Sequence, residues 1–294
     1  MSAKWVMTMR NDFCIFILSH GRANKVKTLR TIQRMGYDGQ WFIIIDNEDN
    51  QAGEYYKKYG KDHVVMFDKL ATSKTFDTAD NYDDRRCVVY ARNACFEIAE
   101  QKGFEYFLEL DDDYTKFEFR RMINGHLAHV KCSDINPLID EMIKFLDVTK
   151  ALTVAFAQGG DLIGGPSSTV FRKRCARKAM NCFFCTTKRP FKFLGRVNED
   201  VNTYTYLGTK GELMFTVRDV VMEQERTQQS SGGMTEMYFD EGTFIKSFYT
   251  VMYCPSCVKV SQMGVSDMRI HHKVLWKYCT PKIISDKYKK AKEV

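Results

Sequence analysis

The chain has 294 residues, of which 44% are hydrophobic and 28% charged, with 5 Pro and a formal net charge of +7 at a sequence pI of about 8.8. Such a composition excludes long disorder, and the length fits one large α/β domain or two small ones, with a substantial core and no staples. No stretch approaches the ~20 apolar residues of a membrane span and no apolar signal-peptide core opens the chain, so a cytoplasmic protein without membrane contact is expected.

Phe13 to Leu18 is an unbroken apolar run of strand length, followed by Ser19-His20-Gly21-Arg22 and a helical pattern through Val26, Leu29 and Ile32 that Gly36 stops. Trp41 to Ile45 predicts a second buried strand ending at Asp46, and His63 to Phe67 a third. From about Arg85 to Lys102 a helix places Val88, Ala91, Cys95, Ile98 and Ala99 on one face, and Gly103 closes it. Phe104 to Leu110 is the next strand and runs straight into Asp111-Asp112-Asp113. Ser133 is placed to cap an amphipathic helix carrying Ile135, Leu138, Ile139, Met142, Ile143 and Leu146, with Pro137 tolerated in its first turn.

Buried strands alternating with helices predict an α/β fold, with a mostly parallel sheet in a Rossmann-like nucleotide-binding half over about residues 1–150. Beyond that, strand-like runs at Leu152–Ala157, Glu212–Val217 and Phe244–Tyr253 alternate with Gly-rich turns. They predict a mixed half, about 151–294, laid against the first and not folding alone. No internal repeat is visible.

Cys14, Cys87 and Cys95 fall inside apolar patterns and read as small core residues. Cys182/Cys185 and Cys254/Cys257 have metal-ligand spacing and together could form a four-thiolate zinc site. The 68 residues between the pairs exceed the ~15–20 of the usual ribbon, so reduced structural thiols are expected. Charge is unevenly spread. From Arg172 to Lys192 there are eight Lys or Arg and no acidic residue, interleaved with Phe171, Phe183, Phe184, Phe191 and Phe193, a mixture suited to phosphate contacts beside base stacking. The same run also fits a solvated basic loop.

An apolar strand ending in three consecutive carboxylates is expensive unless something offsets their repulsion. A divalent cation on Asp111 and Asp113 would do so, as in sites where Mg²⁺ or Mn²⁺ bridges carboxylates and nucleotide phosphates. In an open α/β sheet, ligands collect at the carboxyl ends of the strands, where this triplet lies. Ser19, His20 and Arg22 after the first strand, Asp46 after the second, and Arg92 and Asn93 on the preceding helix are candidate donor-nucleotide contacts, with Asp112 beside them. Downstream, Glu199 and Asp200 stand at a helical start, placed to be a general base and its neighbour, or merely to favour the helix dipole. His271 and His272 offer imidazoles on a strand, and His271 is a candidate extra metal ligand.

That order of features resembles nucleotide-sugar transferases of the GT-A type. More narrowly, RPFKFLGRVNEDVNTY, QQSSGGMTEMY, KSFYTVMY and RIHHKVLW, which begin at Arg189, Gln228, Lys246 and Arg269, look like the TET-associated glycosyltransferase family found in phages. The resemblance spans nearly the whole chain. It implies a GT-A-like fold and metal-dependent transfer of a sugar from a nucleotide donor, a UDP-sugar, to the hydroxyl of a hydroxymethylated pyrimidine in DNA, 5-hydroxymethylcytosine being the expected base. It also implies a role in phage DNA hypermodification against restriction, in the host cytoplasm. On that reading Mn²⁺ or Mg²⁺ sits on Asp111 and Asp113, Asp200 takes the proton of the attacking hydroxyl in an inverting displacement, and Glu199 orients it or raises its pKa. Arg172, Lys173, Arg174, Lys188, Arg189 and Arg196 would grip the DNA backbone, with Gly232 and Gly233 letting a loop approach the acceptor. The rival readings are the same chemistry on a polysaccharide or protein acceptor, a metal-dependent nuclease, and a DNA-binding module without catalysis.

Overall fold

The structure is a computed structural model and describes residues 9–80, 82–162, 165–167, 175–224, 245–263, 269–280 and 284–289. The first half alternates as expected: β1 (Phe13–Leu18), α1 (Lys27–Arg34), β2 (Gln40–Asp46), α2 (Ala52–Tyr59), β3 (Val64–Phe67), α3 (Lys69–Ser73), α4 (Val89–Gln101) and β4 (Tyr106–Asp111). All six residues of β1 are buried, because helices cover both faces of a central parallel strand. Gly36, at φ 73°, lets the chain turn out of α1 where a side chain would be strained.

β4 is followed after two residues by a hairpin, β5 (Tyr114–Ile123) and β6 (His126–Lys131), and by α5 (Asn136–Thr149). The two-residue loop of the hairpin is Asn124-Gly125, both at positive φ (50° and 79°), an Asn-Gly hairpin signal that the sequence reading leaves unused. The start of α5 differs slightly from expectation, since Asp134 Oδ1, not Ser133, accepts from the Asn136 amide at 3.0 Å. There follow β7 (Thr153–Gln158), β8 (Cys175–Ala176), β9 (Phe183–Thr186), α6 (Glu199–Thr209) and β10 (Met214–Gln224). The described C-terminal region holds α7 (Ile245–Tyr253), β11 (Val258–Met263), β12 (Arg269–Val274) and α8 (Trp276–Cys279).

Ten strands form one sheet in the order β3-β2-β1-β4-β9-β7-β10-β5-β6, with β8 also on β10. β3, β2, β1 and β4 are mutually parallel, and the order reverses direction at β1, which makes the β1–β4 border a topological switch point. Strand β9 runs antiparallel between β4 and β7. The α/β class with a parallel N-terminal sheet is therefore observed, and the mixed part continues the same sheet. β11 and β12 make a separate two-stranded sheet. No described helix is long and apolar enough to cross a membrane.

Three expectations are corrected. The strand-like run up to Tyr253 is helix α7, which buries Ser247 and Thr250 at helical spacing while Phe248 and Met252 are exposed. α4 is buried nearly all round, not on one face, because the segment after β9 covers it: Asn93 exchanges two hydrogen bonds with the Phe193 backbone, at 3.0 and 2.9 Å. The two Cys pairs do not meet. The Cys182 sulfur accepts from the Phe156 amide and Cys185 contacts the Thr153 hydroxyl in the main core, whereas Cys254 and Cys257 belong to a separate small cluster.

Candidate active site

The carboxyl ends of β1, β2 and β4 bring Ser19, His20, Arg22, Asp46 and the acidic triplet to one edge, with Leu18 opposite Asp111 in register. Asp112 is 3% exposed, and both its oxygens are taken: the Ser19 hydroxyl donates to one at 2.5 Å and Arg22 Nη1 to the other at 3.1 Å. Tyr55 completes the knot, its hydroxyl 2.7 Å from Ser19 Oγ and accepting from the Arg22 amide at 2.9 Å. Asp112 is thus a fastener of the β1 turn and not the open donor contact expected of it. Burial raises its pKa despite the Arg22 charge and the Ser19 hydrogen bond.

Asp46 sits between His20 Nδ1, at 2.7 Å, and Lys69 Nζ, at 3.3 Å. Burial favours its protonation, but these two partners outweigh it and hold the carboxyl below its ordinary range. Asp49 accepts from the Gly21 amide at 2.8 Å and so shapes the turn that presents His20. Lys69 and Asp49 were not singled out from the sequence.

Arg92 is the hub of the site. It is 1% exposed, yet its guanidinium meets three carboxylates: Glu199 Oε1 at 2.9 Å from Nε, Asp111 Oδ1 at 3.0 Å from Nη2, and Glu109 Oε2 at 3.7 Å from Nη1. Phe183 lies under it at 4.8 Å from the ring centroid. Burial opposes its charge, but the three carboxylates hold its pKa well above the usual value. Arg92 is therefore spent on protein carboxylates and is not the diphosphate contact expected of it. Glu109, to which the sequence reading assigns no role, is an acid in the middle of an apolar strand, itself a readable signal; burial pushes its pKa up.

Asp113 is the least satisfied member of the triplet. Among the described residues its buried Oδ1 has no hydrogen-bond partner, and burial together with Asp111 and Asp112 raises its pKa to about 7. Tyr114 Oη donates to the Asn181 carbonyl at 2.7 Å and stands 3.4 Å from Asp111 Oδ2.

Across the edge, Asn198 takes a left-handed conformation, φ 62°, and turns the chain into α6. Asn202 holds that turn by donating to the Leu194 and Val197 carbonyls at 3.0 and 2.9 Å. Glu199 then points to Arg92, while Asp200 Oδ1 accepts from the Val201 amide at 2.7 Å. Burial, then the neighbouring Glu199 charge, raises the Asp200 pKa to about 7. His272, whose pKa burial depresses to about 4, reaches Asn198 at 3.4 Å.

His271 is next to it on β12, but its ring and the triplet do not fall within 4.8 Å of one another as a ligand group. Among the described residues the group that does is Glu118, His129 and Glu223, on the sheet's far edge. There His129 is 2.7 Å from Glu118, Lys116 is 3.5 Å from Glu223, and Arg120 feels both carboxylates, so the charges are already matched.

The basic residues are redistributed. Arg196 is fully buried, bound to Asp80 at 2.9 Å, to Asp84 at 3.5 Å and to the Tyr249 hydroxyl at 3.0 Å, so it braces the interior and cannot grip DNA. Gly195 precedes it at φ 82°, where a Cβ would overlap the Asn202 amide. Lys188 pairs with Glu105, and Arg189 donates to the Ala151 and Leu146 carbonyls at 3.1 Å. Both stand beyond the Tyr106 end of β4, five residues or ~16 Å from Asp111, which is the wrong end of the sheet for an acceptor. Phe183, Phe184, Phe191 and Phe193 are core side chains and not stacking platforms. Arg172, Lys173, Arg174, Gly232 and Gly233 lie outside the described residues.

Among solved structures, the chain is similar to glucosyl-3-phosphoglycerate synthase from Mycobacterium tuberculosis in complex with Mg²⁺ and uridine diphosphate, at 9% identity and TM-score 0.43, over 90% of this chain and 88% of that one. A mycobacterial protein aligns at 10% identity and TM-score 0.43 over 90% and 84% of the two chains. No curated protein sequence is detectably similar. The family model for TET-associated glycosyltransferases matches residues 13–233, which hold the acidic triplet, Arg92 and the Glu199-Asp200 pair. Since that match covers well over half of the chain, the protein belongs to the TET-associated glycosyltransferase family and is a glycosyltransferase.

Proposed function

We propose that the protein is a GT-A-type, metal-dependent, inverting transferase that moves a sugar from a UDP-sugar to the hydroxyl of 5-hydroxymethylcytosine in DNA. The observation that supports this reading is the bridge through Arg92, which ties the strand-end carboxylate Asp111 to Glu199, the neighbour of Asp200, near enough for the Asp111 charge to help raise the Asp200 pKa. Asp111 and Asp113 are the residues to hold Mn²⁺ or Mg²⁺, because Asp113 combines a buried oxygen lacking a hydrogen-bond partner with two like charges next to it. His271 is retained as a further ligand, although its ring and the triplet do not form a ligand group as they stand. A cation bound there supplies Lewis-acid stabilisation of the departing diphosphate.

This chain's own residues do the rest. His20 and Arg22, on the turn after β1, are the partly exposed groups facing the nucleotide side, with Ser19, Asp46 and Asp112 fixing them. Asp200, ionised above about pH 7, accepts the hydroxyl proton as the acceptor oxygen bonds to the anomeric carbon; the carbon–oxygen bond to the diphosphate breaks and its electron pair leaves with UDP. A base in duplex would have to flip out to reach Asp200. Arg172, Lys173 and Arg174 are proposed to hold the DNA backbone, with Gly232 and Gly233 near the acceptor. The family name supports the DNA acceptor, and with it a phage hypermodification role that protects against restriction.

The test is mass spectrometry of nucleosides from hydroxymethylcytosine DNA incubated with the protein, Mn²⁺ and a panel of UDP-sugars, with unmodified DNA alongside. A sugar mass increment confined to the hydroxymethylated DNA is expected. Release of UDP without an increment would reject the acceptor, and absence of both across the panel would reject the UDP-sugar donor.

A further inference from the structure

The C-terminal hairpin has an unusual interior. Its own buried cluster consists of Cys254, Cys257, Cys279 and Val258, with Tyr206, Val251 and Val274 half-buried against it, and β11–β12 is a two-stranded sheet hydrogen-bonded to no other strand among the described residues. Isolated hairpins are marginal in water, and small units that cannot build an apolar core are commonly stapled by a disulfide or a metal. Here the apolar residues Val260, Ile270 and Tyr278 face outward, at 39%, 43% and 58% exposure, so they contribute little to that core.

The three thiols converge from two elements. Cys254-Pro-Ser-Cys257 forms a tight turn in which the Cys257 and Val258 amides donate to the Cys254 carbonyl at 3.1 and 2.9 Å. α8 then returns Cys279 to the same place, its Sγ 3.6 Å from the Cys257 carbonyl. The Cys257 thiol contacts both of the others. The three sulfurs are not all within 4.8 Å of one another, so closing them on one ion takes side-chain rotation of Cys254 or Cys279.

We propose that Cys254, Cys257 and Cys279 bind a zinc ion that staples the C-terminal hairpin to the body of the enzyme. The two cysteines of the C-x-x-C turn are soft ligands at the close spacing zinc uses, Cys279 on the short helix that follows is the third, and a water would fill the fourth position. On binding, each thiol releases its proton to solvent as its sulfur takes the metal. The staple has a mechanical destination. Trp276 of α8 stacks on Tyr204 of α6 at 5.6 Å and 7°, and His272 reaches Asn198, so the hairpin rests on the helix that begins with Glu199 and Asp200. The site uses no acidic-turn residue and stands apart from the metal proposed there.

The experiment is metal analysis of the full chain purified without chelator, in parallel with Asp113→Ala and Cys257→Ser. About one zinc per chain is expected in the wild type and in Asp113→Ala, and less than about a tenth in Cys257→Ser. Because Cys257→Ser can fail to fold, Co²⁺ is also added to zinc-stripped wild-type protein, where a thiolate-to-cobalt charge-transfer band is expected. Wild-type protein that holds no zinc and gives no such band overturns the proposal. So does zinc that disappears in Asp113→Ala, or an intact mass showing a disulfide among these three residues.

Discussion

The Thr28 hydroxyl donates to the main-chain carbonyl of Asp111 at 2.5 Å and accepts from the Tyr114 amide at 2.9 Å. One side chain on α1 thus closes both ends of the acidic turn. The Lys27 and Thr28 amides, which a helix start leaves without intrahelical partners, donate to the Asp112 carbonyl at 2.8 and 3.1 Å. The carboxylates are therefore fixed by backbone that a neighbouring helix holds.

Thr28→Val keeps the shape and removes both hydrogen bonds of the hydroxyl. A loss of ~1–3 kcal/mol in unfolding free energy is expected. Donor KM should rise more than kcat falls, and steady-state kinetics on purified protein would measure both. An unchanged KM would mean that the turn is held without Thr28.

Asp111→Ala and Asp113→Ala should each abolish metal-dependent donor turnover in protein that still unfolds cooperatively. UDP release with and without Mn²⁺ measures this. Full activity in both variants would remove the carboxylates from the metal site.

Asp200 gives a pH signature. Its folded-state pKa is raised to about 7, so folding favours its protonated form. The associated stability is present below the unfolded value of about 4 and is lost as pH rises through about 7. Catalysis runs the opposite way, since a base must be ionised: kcat/KM should fall about tenfold per unit on the acid side of pH 7. Asp200→Asn should bind donor normally, lose ~10²–10⁴-fold in transfer and be more stable than wild type at pH 8. Unaltered transfer in that variant would exclude Asp200 as the base.

Arg92→Ala leaves Glu109, Asp111 and Glu199 buried without their shared cation and should destabilise the fold by ~3–5 kcal/mol. Arg92→Lys keeps the charge but not the fork that spans Asp111 and Glu199. It should fold and lose transfer more than donor affinity, as calorimetric titration of UDP beside turnover assays would show. Wild-type transfer by Arg92→Lys would mean that the bridge does not position the site.

Replacing Arg172, Lys173 and Arg174 together should weaken DNA binding and flatten its salt dependence by about 2–3 in log–log slope. Arg196→Ala should do neither and should instead lower the melting temperature, because its guanidinium is buried among Asp80, Asp84 and Tyr249. A salt slope identical to wild type in the triple variant would make that cluster ordinary surface.

Strand ends were readable in the sequence because burial on both faces leaves continuous apolar runs, and Asp46 and Asp111 mark where those runs end. Side-chain partnership was less readable. Arg92 and Arg196 look like surface cations until the fold brings Glu199 and Asp80, each more than a hundred residues away, against them. α7 reads as a strand because Phe, Tyr, Thr and Val favour strands locally. Its helical state depends on distant contacts such as the Thr250 hydroxyl donating to Asn202 at 2.8 Å. The phenylalanines among the basic residues misled for a similar reason: alternation with Lys and Arg described a buried strand and its flanks, not an exposed loop.

The placement of β9 between β4 and β7 bears on how the chain acquires its structure during synthesis. Until Phe183–Thr186 leaves the ribosome, the strand that carries Glu109 and Asp111 has an unpaired edge, and β7 lacks a partner on that side. The nascent N-terminal half therefore waits for the strand that pairs with β4, and a fragment ending near residue 150 would expose a sticky edge at the centre of the sheet. Truncating or transplanting that half as a module should give aggregation, because the strand that closes it is encoded downstream.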